Sequence, residues 1–196
     1  MRMFFATLAI VMLSLAWASP AAADAQLVTN GGFETGDFTG WTLSGNTANP
    51  GGFFGVDGFD ANSGNFGAFL GAVGSPLTLS EVLNTTAGDN LIVSFALSLN
   101  LDGGTTDNSV DTFLATLNGA TLLDSTVTPI IAGGYAVYTF DLTAPSNSFT
   151  LAFTSQNDSD FWSLDDVSVT APEPSSLLML ATGLPALFFF RRRRAA

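Results

Sequence analysis

Apolar and polar residues alternate with a period of two along the central part of the chain. Between residues 91 and 101 the odd positions carry only Leu, Val and Phe, and the even positions are mostly small or polar. Such alternation predicts a strand with one buried face. The pattern recurs at 112–118 and 149–154, and further segments that fit short strands are 41–44, 66–73, 77–83, 135–142 and 161–170.

Turn-forming residues separate these segments, namely Asn118-Gly119, Gly133-Gly134, Asp102-Gly103-Gly104 and Pro145-Ser146-Asn147. Clusters of this kind are typical of turns between antiparallel strands. No stretch between the two chain ends shows a helical stripe with caps. About eight to ten short strands at this spacing predict an all-β fold, an antiparallel β-sandwich or jelly roll.

One long interval, residues 45–65, interrupts the alternation. It is rich in glycine and also contains Phe53, Phe54 and Phe59. We expect a loop that these aromatic side chains hold to the body of the domain. A glycine-rich connector and a binding loop are both compatible with this composition.

The first 25 residues have the layout of a secretory signal peptide. Arg2 precedes an apolar stretch at 4–17, and small residues follow at 21–25. This order predicts export through the Sec machinery and cleavage by signal peptidase near Asp24 or Gln26. The exported domain then covers residues 26–171, which is enough for one hydrophobic core.

The last 25 residues, 172–196, form a second apolar signal. Residues 175–190 carry no charge, and four consecutive arginines follow them. As a helix, sixteen residues cover roughly 24 Å, less than the roughly 30 Å hydrocarbon core of a bilayer. We therefore expect a short C-terminal hydrophobic helix that resides in a membrane transiently, with the arginines on the cytoplasmic side.

The charge is distributed unevenly between the ends and the body. All five basic residues lie in the terminal segments, and only two of the seventeen acidic residues, Asp24 and Glu173, lie outside 25–171. Nucleic acid is therefore excluded as a partner of the body, because no residue there can neutralise a phosphate. A divalent cation is favoured instead. The chain has no cysteine, so disulfides contribute nothing to its stability.

The composition also argues against an enzyme. Without His, Cys or Lys, the chain has no Ser-His-Asp triad, thiol nucleophile or Schiff base. Only paired carboxylates remain, as in glycoside hydrolysis, with candidates Glu34, Glu81, Asp111 and Asp165.

The tail resembles the PEP-CTERM sorting signal of bacterial exosortase substrates. It has the three parts of that signal in order: Pro172, Glu173 and Pro174, then the apolar segment, then Arg191, Arg192, Arg193 and Arg194. The resemblance implies cleavage near the tripeptide by exosortase, a membrane-embedded transpeptidase-like enzyme. It also implies transient inner-membrane anchoring and a final place at the surface or outside a Gram-negative-type bacterium. An ordinary single-pass anchor is the alternative.

The body resembles galactose-binding-like and carbohydrate-binding jelly rolls. Residues 30–34 read Asn-Gly-Gly-Phe-Glu, 63–68 read Ser-Gly-Asn-Phe-Gly-Ala, 77–81 read Leu-Thr-Leu-Ser-Glu and 162–167 read Trp-Ser-Leu-Asp-Asp-Val. The resemblance implies a structural Ca²⁺ where the first and last strands meet, held by Glu34, Asp165 and Asp166. Either aspartate could point inward if a bulge intervenes, and Asp165 is preferred. Solvated carboxylates are the alternative. A second acidic cluster consists of Asp102, Asp107, Asn108 and Asp111. Its spacing is not that of an EF-hand, and turn residues on a solvated edge are favoured there over a cation site.

Sugar binding is a further implication of this resemblance. Carbohydrate sites present aromatic faces beside amides and carboxylates, and Trp162 and Tyr138 are the first candidates. Burial of Trp41 and Trp162 is nevertheless the favoured interpretation of their positions.

Together these features predict an exported, exosortase-sorted protein of the cell surface or extracellular matrix. Its non-catalytic sandwich associates with exopolysaccharide or a biofilm matrix. A lectin-like module of defined glycan specificity and a carboxylate-based glycosidase are the alternatives.

Overall fold

A computed structural model describes residues 24–48, 52–100, 111–128, 130, 132–157 and 160–171. Strands are the only regular elements in these ranges: β1 (Ala25–Gln26), β2 (Thr42–Gly45), β3 (Gly52–Asp57), β4 (Gly67–Ala72), β5 (Leu77–Asn84), β6 (Asn90–Asn100), β7 (Thr112–Leu117), β8 (Ala120–Asp124), β9 (Ala136–Thr143), β10 (Ser148–Gln156) and β11 (Phe161–Ala171). The described residues thus include no helix able to cross a membrane. Nearly all of the predicted signal peptide and the whole sorting tail lie outside these ranges.

The strands form two sheets. The first has the order β3-β4-β11-β6-β9, with β1 also paired to β11, and the second has the order β2-β5-β10-β7-β8. Neighbours along both orders pair antiparallel. The predicted all-β sandwich is therefore confirmed.

Aromatic rings fill the space between the sheets. Phe95 on β6 lies edge-on to Phe153 on β10, with ring centroids 5.1 Å apart. Phe113 on β7 lies 5.4 Å from Trp162 on β11. All four side chains are buried, which is the result that the period-two pattern of these strands predicts.

The glycine-rich interval contains a strand that alternation does not reveal. Residues 45–65 are predicted as a loop, but 52–57 form β3 at the edge of the first sheet. Gly55 leaves space for the ring of Phe69 on β4, because a Cβ there would lie 2.7 Å from that ring. Phe54 packs against the core as expected, whereas Phe59 is 99% exposed and holds nothing. The expectation that all three phenylalanines attach this segment is therefore wrong.

A bulge in β11 reverses which residues face the core. Trp162 and Leu164 face inward before it, and Val167 and Val169 face inward after it. The register shift between Asp165 and Ser168 coincides with a positive φ of 51° at Asp166. Because of this geometry, Asp165 lies on the face of the first sheet that points away from the core.

Residues 58–66, here called the 58–66 loop, connect β3 to β4 and cover part of that outward face. Ser163 and Asp165 point away from the core, yet neither is exposed. The backbone carbonyl of Asp60 occupies the position that a Cβ on Gly67 would need, only 1.6 Å from it. The loop therefore packs directly on the sheet backbone.

Candidate functional site

Glu34, at the end of the Asn-Gly-Gly-Phe-Glu segment, contacts the far end of the 58–66 loop. Its Oε1 accepts hydrogen bonds from the backbone N–H groups of Asn65 at 2.8 Å and Phe66 at 3.0 Å. Its Oε2 accepts one from the side-chain amide of Asn65 at 3.1 Å. These donors favour the ionised form and hold the pKa of Glu34 below its usual value.

Asp165 contacts the middle of the same loop. Its Oδ2 accepts hydrogen bonds from the N–H groups of Asn62 at 2.7 Å and Ser63 at 3.0 Å. Its Oδ1 accepts one from the N–H of Asp166 at 2.7 Å. Burial raises the pKa of Asp165, although these three N–H groups favour its charged form. Asp165 is fully buried, but the 58–66 loop buries it on the outward face of the sheet, so it does not point into the core as the sequence suggested.

Asp166 is half-exposed and contacts side chains of the loop. It accepts hydrogen bonds from the amide of Asn62 at 2.7 Å and the hydroxyl of Ser63 at 2.6 Å. The structure therefore directs all three predicted metal residues to one segment, 62–66.

The arrangement at this segment does not fit a calcium ion. Each of the six carboxylate oxygens of Glu34, Asp165 and Asp166 accepts a hydrogen bond from a protein N–H or O–H. Calcium needs six to eight oxygen ligands, whereas the groups that face these oxygens are mostly N–H donors. Within the described part of the chain, no three acidic side chains are grouped to hold a metal.

A buried polar cluster anchors the near end of the loop, and nothing in the sequence pattern indicates it. Asp60 is 5% exposed, and its Oδ1 accepts hydrogen bonds from Ser163 and from Asn100, the latter at 3.2 Å. The hydroxyl of Tyr135 donates to the carbonyl of Asp60 at 2.6 Å. Burial raises the pKa of Asp60, and the nearby charge of Asp57 adds to the effect.

Phe59 protrudes from the loop immediately before this anchor. Its ring is 99% exposed, and its backbone N–H donates to Asp57 Oδ1 at 2.8 Å. The N–H of Asp60 donates to the same oxygen at 3.2 Å. These hydrogen bonds fix the backbone around Phe59, so its apolar ring is held in a defined position in solvent.

The two aromatic candidates for sugar binding have other roles. Trp162 is 1% exposed and packs against Phe113, so its ring presents no face to solvent, and this candidate is wrong. Its strand position places it in the core, as does that of Trp41 at 8% exposure. Tyr138 is half-buried, and its ring stacks on that of Phe95 with the ring centroids 5.7 Å apart. One face of the Tyr138 ring is therefore occupied.

Of the other acidic candidates, Glu81 is the one that the structure places inside the sandwich. It is 7% exposed, and its Oε1 accepts a hydrogen bond from the N–H of Thr29 at 2.9 Å. Among the described residues its Oε2 has no hydrogen-bond partner, and burial raises the pKa of Glu81. Asp102 and Asp107 lie outside the described residues.

Comparison with protein families matches residues 170–194 to the PEP-CTERM protein-sorting motif. This match confirms the identification of the tail and indicates an exported protein that exosortase processes. The residues of the motif from Pro172 onward lie outside the described ranges. A search of curated proteins found no match.

Comparison with solved structures finds proteins of the same fold. TmCBM61, solved in complex with β-1,4-galactotriose, matches with a TM-score of 0.52 and 14% identity over 74% of this chain and 97% of its own. The CBM22-1 xylan-binding domain of Paenibacillus barcinonensis Xyn10C matches with a TM-score of 0.51 and 15% identity, over 80% of this chain and 99% of its own. The enzymatically active domain of bacteriophage CBA120 tailspike protein 4 matches with a TM-score of 0.56 and 14% identity. The match covers 74% of this chain but only 21% of that one. At these identities the likeness establishes the fold.

Proposed function

We propose that this chain is an exported, exosortase-sorted protein of the cell surface or extracellular matrix, and that its sandwich is a non-catalytic module that binds exopolysaccharide. The sorting motif at 170–194 supports the route, and the fold shared with carbohydrate-binding modules supports the activity. The lack of His, Cys and Lys in the chain supports a non-catalytic role.

The observation that carries the binding proposal is the presentation of Phe59. A phenylalanine left 99% in water forgoes the favourable free energy that burial would give it. The hydrogen bonds of Asp57 and Asp60 fix the backbone on either side, so little conformational entropy is lost when a ligand covers the ring. The apolar CH face of a sugar residue is a suitable partner for such a ring, and the half-buried carboxylate of Asp57 beside it is an acceptor for a sugar hydroxyl group.

The charge of the domain defines the polysaccharide further. Residues 25–171 contain fifteen carboxylates and no basic side chain. A uronate-rich polymer would be repelled, particularly at low salt, whereas a neutral or amino-sugar polymer would not. The proposed partner is therefore a neutral or cationic polysaccharide of the matrix.

Co-sedimentation of the mature protein with matrix polysaccharide from the producing cells tests the proposal. Phe59→Ala is expected to weaken binding about tenfold or more, as for other exposed aromatic anchors, without changing the melting temperature. Val127→Ala is the matched control, because it removes a 78% exposed apolar side chain elsewhere on the domain. Equal binding by wild type and Phe59→Ala would reject the proposed role of Phe59. No binding by wild type would reject polysaccharide binding by the domain.

A further inference from the structure

The 58–66 loop is attached to the sandwich at three successive places. Asp60 is bonded to Ser163 and Asn100 at its near end. Asp165 and Asp166 hold residues 62 and 63 in the middle, and Glu34 holds residues 65 and 66 at the far end. These contacts join segments that are up to 104 residues apart in the chain.

The spacing between carboxylate and loop is that of a direct hydrogen bond. The donor and acceptor atoms of the Glu34 and Asp165 contacts with the loop lie 2.7 to 3.1 Å apart. An ion lying between a carboxylate oxygen and a loop atom on its opposite side, at about 2.3–2.6 Å from each, would hold the two atoms roughly 4.6–5.2 Å apart. The observed spacing therefore leaves no room for an ion between these carboxylate oxygens and the loop N–H groups.

The polarity of the loop leads to the same conclusion. Asp165 and Glu34 each face two consecutive loop N–H groups, those of residues 62 and 63 and of residues 65 and 66. N–H groups stabilise an ionised carboxylate but repel a cation. Glycine at position 64 lets this backbone approach closely, since a Cβ there would lie 2.2 Å from Glu34 Oε1.

We propose that Glu34, Asp165 and Asp166 form a calcium-independent clasp, in which carboxylates close the 58–66 loop over the sheet by accepting hydrogen bonds directly. The clasp ties the start of the domain to its last strand, as a structural metal does in proteins that lack disulfides. The clasp proposal is independent of the proposed polysaccharide binding.

Thermal unfolding of the purified mature protein, with excess calcium and with excess chelator, tests the clasp. Glu34→Gln removes the charge of the acceptor and places an NH2 group against the side-chain amide of Asn65, and Asp165→Ala leaves three part-buried N–H groups without their acceptor. We expect both variants to melt below wild type, Asp165→Ala by roughly 5 °C or more. We expect the difference from wild type to be the same in both solutions. Asp141→Asn, a change of an exposed carboxylate on β9, is the control and should melt like wild type.

The calcium alternative predicts a different pattern. Wild type would melt lower in chelator, and the difference between wild type and Glu34→Gln would disappear there. Either observation, or stoichiometric calcium found by elemental analysis, would overturn the proposal.

Hydrogen exchange of wild type gives a second test that needs no variant. The amides of residues 62, 63, 65 and 66 should remain protected in chelator, and loss of their protection would contradict the clasp.

Discussion

The carboxylate of Glu34 and the backbone N–H of Asn65 meet at 2.8 Å although they are 31 residues apart in the chain. This bond joins the first turn of the domain to the loop that carries Phe59. It forms because the intervening Gly64 adopts a φ of +67° and has no side chain to separate them. The resemblance to jelly rolls places Glu34 near the last strand, but the partner it finds is a backbone amide.

Gly64→Ala is expected to displace the carboxylate of Glu34. The added Cβ would meet a flexible side-chain end at 2.2 Å, so the carboxylate would move and release the amides of residues 65 and 66. A positive φ alone costs an L-residue about 1–2 kcal/mol. Gly74→Ala controls for that strain, because Gly74 has a φ of +79° and open space around its Cβ position. Urea denaturation should show a larger loss of stability for Gly64→Ala, and equal losses would contradict the contact.

Glu81→Gln is expected to stabilise the protein near neutral pH. Burial raises the pKa of Glu81 above its ordinary 4.5, so the folded protein retains a proton that the unfolded chain releases. The stability contributed by this group is fully present below pH 4.5 and is lost as pH rises through the folded pKa. A glutamine at this position does not ionise, so the variant does not lose stability in this way as pH rises. Urea denaturation should show similar stabilities in acid and a growing advantage for the variant toward pH 7, whereas a less stable variant at neutral pH would refute the prediction.

Trp162→Ala is expected to act on folding rather than on ligand binding. Removing this buried ring would leave a cavity beside Phe113 and reduce stability by about 3–5 kcal/mol. Phe59→Ala removes an exposed ring and should leave the melting temperature unchanged. A Trp162→Ala protein that melts like wild type but fails to bind polysaccharide would restore the tryptophan as a ligand residue.

The parts of the fold that follow a simple period could be predicted from sequence. Alternation identifies β6 and β10 and places Phe95 and Phe153 in the core. It does not identify β3, where glycine replaces the apolar partner and a ring from β4 fills the space. The resemblance brings Glu34 and the Asp165 pair to one region, but it does not predict that each accepts hydrogen bonds from the 58–66 loop. The Asp60 cluster could not be predicted at all, because Ser163 becomes buried and bonded to Asp60 only when a non-repetitive loop folds over it.

Replacing Pro172, Glu173 and Pro174 by alanine is expected to block processing of the tail. The motif at 170–194 is the region that exosortase would recognise. The variant should accumulate as an inner-membrane precursor that still carries its arginines, as shown by fractionation and immunoblotting against the exported domain. Alanine substitution of the Val82 side chain, exposed on the second sheet, is the control and should be processed normally. Identical processing of the tail variant and wild type would contradict the role of the tripeptide.

The intact mass of the native protein recovered from the cell surface tests the account most directly. We expect a chain that begins near residues 24–26 and ends in the region of residues 172–174, free of every arginine in the sequence. Recovery of the full-length chain from the cytosol, with both apolar ends intact, would contradict export and sorting together.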